Sequence, residues 1–139
     1  MTRRSLLAAM AQGNGPLLEQ AAMKLLDEYM AAWNVMDTAR WESTFHFPHY
    51  RLASGRMNVL NQPGMHPADL WKRMTASGWH HSKWDRRRMI HATEEKIHVD
   101  TKFSRYRADG SVIGAYDSLY ILTFEGGRWG VKMRSSFAQ

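Results

Sequence analysis

Near Gly78 the spacing of apolar residues along this chain changes from about four to two, and no other feature constrains its fold as strongly. Before that point, Leu18, Ala22, Leu25, Leu26, Tyr29, Met30 and Trp33 recur three and four apart, with Glu19, Lys24, Asp27 and Glu28 on the opposite side. This predicts an amphipathic helix over 17–35, entered from the Gly13-Asn14-Gly15-Pro16 breaker cluster. Asp37 is a suitable N-cap for a short second helix carrying Trp41 and Phe45 four apart, with Pro48 ending it. Residues 49–54 read as a strand stopped by Gly55, and 57–60 as its returning partner. His66, Pro67 and Asp69 open a third helix, which has Leu70, Trp71 and Met74 as its apolar stripe and stops at Gly78. Beyond Gly78 come four strand-like runs, 83–92, 96–107, 111–124 and 128–137, joined by short hairpin connections.

Helices gathered ahead of a run of hairpins predict an α+β fold, in which three N-terminal helices wrap one face of a curved antiparallel sheet. A strongly bent sheet covered by few helices leaves a cone-shaped hollow, a usual place for a small-molecule site. With 139 residues the chain is expected to form a single domain over 16–139, preceded by a flexible arm at 1–15. Lacking cysteine, it has no disulfides, no thiolate metal ligands and no cysteine nucleophile. Phosphate-loop, dinucleotide-fingerprint, nucleophile-elbow and paired-carboxylate motifs are also missing, so the expectation is chemistry without a cofactor.

The remaining polar clusters are weaker signals. His46 with His49, and His80 with His81, invite a metal reading, but Pro48 and the lack of a carboxylate at ligand spacing argue against it. Arg86, Arg87 and Arg88 form the only basic run; alternation places Arg86 and Arg88 on a face with Arg105 and Arg107, and no nucleic-acid motif accompanies them. The basic tip and short apolar stretch at the N-terminus fall short of a signal peptide, and no run has the ~18 apolar residues of a membrane span, so a cytoplasmic protein is expected.

Two motifs give the chain a family likeness. Glu28-Tyr29-Met30-Ala31-Ala32-Trp33-Asn34-Val35-Met36-Asp37, followed by Trp41 and Phe45, resembles the opening of the nuclear transport factor 2-like superfamily. Tyr116-Asp117-Ser118-Leu119-Tyr120-Ile121, a glycine hairpin and Trp129-Gly130-Val131-Lys132-Met133-Arg134 resemble its last two strands, so the likeness spans about 16–137. It implies a cone-shaped α+β barrel, often a homodimer paired through the convex sheet face, with a pocket between sheet and helices. Its members include ketosteroid isomerases and other cofactor-free enzymes as well as binders without catalysis. Against the isomerases, Tyr29 matches the oxyanion-binding tyrosine and Asp117 the protonated acid, while the general-base position falls on Ala53.

Strand alternation offers a substitute for the missing base. If Ala53 faces the hollow, so do Arg51 and His49, and His49 is then either a general base or a structural hydrogen-bonding group. Arg51 is the candidate anchor for a carboxylate or enolate. Asp117 is either a tuned oxyanion donor or the partner of Arg134 or another arginine. Six tryptophans and ten methionines exceed what such a core usually needs. Trp33, Trp41, Phe45, Trp71, Met74, Trp84, Phe103 and Met133 are accordingly the candidate lining of a site for an apolar or ring-shaped molecule. Tyr116, Ser118 and Tyr120 are assigned to the convex face, available to a second copy. Three readings remain open: proton-transfer enzyme, non-catalytic small-molecule binder, or dimeric interaction module.

Overall fold

The computed structural model describes Thr2 and residues 15–139. The arm expected at 1–15 therefore lies, apart from those two positions, outside the described residues. Helix α1 (Gly15–Asn34) buries Leu18, Ala22, Leu26, Tyr29 and Ala32, a run at four- and three-residue spacing that forms one face. It stops in a Schellman turn: Met36 takes a left-handed φ of 56°, its N–H donates to Trp33 O (3.0 Å), and the Asp37 N–H donates to Ala32 O (3.2 Å). Asp37 then caps α2 (Thr38–Glu42) by accepting from Arg40 N. Asn34 binds both backbone groups of Ser82, at 2.8 Å each, and so fastens the end of α1 to the third strand.

α2 is shorter than expected, and Phe45 opens a strand rather than closing a helix. Strand β1 (Phe45–Ala53) contains Pro48. Proline is tolerated there because pairing with β6 is interrupted between Phe45 and Tyr50 and pairing with β2 begins only at His49, so no ladder bond is lost. A turn with positive φ at both Ser54 and Gly55 leads into β2 (Arg56–Leu60). Helix α3 (Leu70–Ala76) follows, and Gly78, at φ 93°, ends that segment. The meander is β3 (His81–Ala92), β4 (Lys96–Tyr106), β5 (Val112–Glu125) and β6 (Arg128–Ser136).

These strands form one six-stranded sheet in the order β2-β1-β6-β5-β4-β3. Every pairing is antiparallel except β1 with β6, which is parallel because the N-terminal hairpin docks onto the last strand of the meander. The inner face carries Ile97, Val99, Tyr120, Leu122 and Val131, all packed under α1. Among the described residues no helix is long and apolar enough to cross a membrane.

Candidate functional site

Beyond the core end of α1, the sheet and the helices diverge around a cavity of about 820 Å³, within the usual range of roughly 300–1,000 Å³ for small-molecule sites. Tyr29, Met30 and Trp33 of α1 and Trp41 of α2 form one side; Phe103, Arg105, Tyr120 and Arg134 of the sheet form the other. The β1–β2 hairpin contributes Arg51 and Ala53, and α3 contributes Leu70 and Met74 at the rim. Of the residues expected to line it, Tyr29, Trp33, Trp41, Arg51, Met74 and Phe103 do so.

The others are displaced for identifiable reasons. Phe45 is wholly buried in the floor beneath the cavity, stacked on His49 at 4.1 Å. Trp84 sits deeper in the core, its indole donating to Leu26 O (3.1 Å). Trp71 stands behind Trp33 at 4.8 Å and donates to Thr38 Oγ1 (2.8 Å). Met133 lies on the outer face and is 39% exposed. Lys132 is an extra residue between the pairs Leu122–Val131 and Ile121–Met133, so Val131 points inward and Met133 outward despite equal parity. Trp79, which the sequence did not single out, completes the indole cluster at 5.6 Å from Trp33.

His49 faces inward, as alternation requires, but is sealed from the cavity and wholly buried. Its Nδ1–H donates to Val131 O (2.9 Å) and its Nε2 accepts from Arg134 Nε (3.0 Å). Burial first, and then the Arg134 charge, push its pKa down to about 3, so the ring is neutral and its one lone pair is occupied. That is the structural role, not the base. Of the two readings of Asp117 the ion pair holds and the oxyanion donor does not: its side chain is 61% exposed on the outer face, where it accepts from Arg86 Nη2 (3.0 Å). Ser118, Tyr120 and Leu122 take the inward positions of β5, so Ser118 and Tyr120 belong to the core and not to a convex surface. The basic run is tied up as well, with Arg86 and Arg88 on Asp100 and Arg87 on Asp27. Arg105 is not part of that run's face, because a bulge between Trp84 and Arg86 reverses the phase of β3. Among the described residues no three His, Asp or Glu side chains converge as metal ligands.

The hub of the site is Arg134. Its Nη1 donates to Tyr29 Oη (2.7 Å), its Nε to His49, and its guanidinium lies 5.4–5.9 Å from the ring centres of Tyr29, Trp41 and Phe45. Tyr120 Oη and Tyr29 Oη share one hydrogen bond (3.4 Å), so one of the two phenol protons has no acceptor among the described residues. Burial pushes the Tyr120 phenol well up, keeping it protonated. The Arg51 side chain has no hydrogen bond or ion pair among the described residues, and burial and the nearby Arg134 lower its pKa from the usual arginine value.

One further pair was invisible in the sequence. His66 lines the cavity, stacks on Trp41 at 4.6 Å and uses Nδ1 to meet Glu42 Oε2 (2.7 Å). Glu42, itself buried, also accepts from Gly64 N. Burial lowers the His66 pKa against the opposing pull of Glu42, and its Nε2 has no partner among the described residues. Twenty-four residues separate the two, with no spacing rule to connect them.

Residues 19–134 match the family model described as NTF2-like protein (DUF6841), and the chain belongs to that family. No curated protein matches its sequence. Among solved structures it is similar to an NTF2-like protein with a cystatin-like fold from Novosphingobium aromaticivorans (TM-score 0.73, 10% identity, covering 91% of this chain and 86% of that one). An NTF2-like protein of unknown function from Pseudomonas putida superposes with TM-score 0.71 at 11% identity, over 90% of this chain and 89% of that one. A ketosteroid isomerase-like protein from Erwinia carotovora atroseptica gives 0.64 at 15% identity, over 85% and 93%. At such identities these likenesses establish the NTF2-like fold alone.

Proposed function

We propose that this NTF2-like chain binds a small ring-shaped or apolar molecule between its sheet and its helices. The observation that carries this reading is the cavity itself, whose walls are aromatic where a ring would stack: Tyr29, Trp33, Trp41 and Phe103. A neutral probe tests it. Calorimetric titration with 2-naphthol is expected to give saturable binding, weakened at least tenfold by Ala53→Leu, which builds side chain into the cavity. Absence of binding to the folded protein would remove the reading.

A second reading, cofactor-free proton transfer, rests on His66. A neutral imidazole oriented by Glu42 has its second nitrogen available as a base, and Tyr29 and Arg51 are the donors for an enolate oxygen. The same preparation separates the two readings. If catalysis occurs, the α-protons of 2-tetralone exchange with deuterium faster in the presence of the protein, and His66→Gln removes the acceleration without removing binding. Pairing of two copies through the outer sheet face belongs to the same proposal and is supported by Leu52, Leu119, Ile121 and Met133, which leave that face partly apolar.

A further inference from the structure

The cavity's polar groups are lopsided in charge. Five arginines line it, Arg51, Arg105 and Arg134 near one another and Arg56 and Arg73 beside them, with Arg73 paired to Asp69, and its lining includes no aspartate or glutamate side chain. Glu42 reaches only His66 and Gly64. Arg134 donates to neutral acceptors, the His49 ring and the Tyr29 oxygen. Arg105 reaches one main-chain oxygen of Gln139 (3.3 Å), the last residue of the chain, and stacks on Tyr116. Arg51 and Arg134 are thus held near each other with no carboxylate in contact among the described residues, and guanidinium groups partly withdrawn from water in this way are costly and repel one another.

The unmet hydrogen bonds have the same polarity. Two buried side-chain atoms among the described residues have no partner, Trp41 Nε1 and Arg105 Nε, and both belong to residues lining this cavity. Both are N–H donors, and the spare proton of the Tyr29–Tyr120 pair, whose two members also line the cavity, is a third. A site short of acceptors and rich in positive charge is complementary to an anion with several lone pairs. The planar fork of arginine matches a carboxylate in particular.

We propose that the molecule bound here is a ring-bearing carboxylic acid, with its carboxylate among Arg51, Arg105 and Arg134 and its ring against Trp33, Trp41 and Phe103. The proposal rests on the small-molecule reading above and adds the ligand's charge and class. Matched probes separate the two: 2-naphthoate with 2-naphthamide, and cyclohexanecarboxylate with its amide. In calorimetric titrations at low salt each acid is expected to bind at least tenfold more tightly than its amide. Arg51→Met and Arg105→Met should each weaken binding of the acids far more than binding of the amides, and so erase most of that preference.

A thermal melt gives an independent readout. Removing one of three repelling charges should raise the Tm of ligand-free Arg51→Met above that of the parent, and saturating 2-naphthoate should stabilise the parent more than the variant. Equal or tighter binding of the amides overturns the anion assignment and leaves the small-molecule reading intact. If neither acids nor amides bind, both fall.

Discussion

The His49→Ala protein is expected to be about 3–5 kcal/mol less stable than the parent, a large share of the ~5–15 kcal/mol that holds a domain together. The ring is wholly buried against Phe45, so truncation leaves a gap. It also strips partners from Val131 O and Arg134 Nε, and each buried group left unmet costs about 1–3 kcal/mol. Urea titration measures the loss. A base for proton transfer would give the reverse pattern: unchanged stability and lost turnover.

The same ring makes stability depend on pH in a defined direction. Its folded pKa of about 3 lies below the ordinary 6.5. Between those values the unfolded chain binds a proton that the folded chain refuses. Stability conferred by this group is therefore complete above pH 6.5 and declines as pH falls towards 3, at up to about 1.4 kcal/mol per unit. His46 and His66, also lowered chiefly by burial, steepen the decline. The slope over this window should be shallower in His49→Ala.

Phe45→Ala is the second large effect, expected at about 3–5 kcal/mol and a fall in Tm of roughly 10 °C or more. Phe45 has no exposed surface, and its ring centre lies 4.1 Å from that of His49, 5.0 Å from Trp41 and 6.0 Å from Tyr29. It supports two of the aromatic side chains of the cavity wall, Tyr29 and Trp41, so ligand affinity should fall with stability. Leu52→Ala, on the exposed face of the same strand, should cost under ~1 kcal/mol. A loss below ~1 kcal/mol for Phe45→Ala as well would mean that the neighbouring rings close the gap.

What could be read in the sequence follows from local physics. The change of period at Gly78 placed the helices before the meander, and the glycines at 55, 110 and 127 marked turns that the backbone makes with positive φ. The inward set His49, Arg51 and Ala53 followed from alternation once the resemblance had placed Ala53 at the hollow. Alternation holds on β5, but its phase is misplaced by setting Asp117 inward; Tyr120 and Leu122 on one face and Leu119 and Ile121 on the other are equally apolar, so pattern alone cannot choose the phase. It fails wherever an extra residue reverses the phase, at Asp85 for the Arg86–Arg105 relation and at Lys132 for Met133. The arginine cluster comes from β1, β4 and β6 and the Glu42–His66 pair from a helix and a loop, segments distant in sequence that only the folded chain brings together.

The central claim, that the space between sheet and helices is a ligand site, is tested most directly by the indole N–H signals of the six tryptophans during titration with 2-naphthoate. The account predicts saturable shifts at Trp33 and Trp41, which line the cavity, with Trp84 and Trp129 nearly unmoved. Indole signals that stay fixed to high ligand concentration, or shifts confined to Trp129, would contradict it.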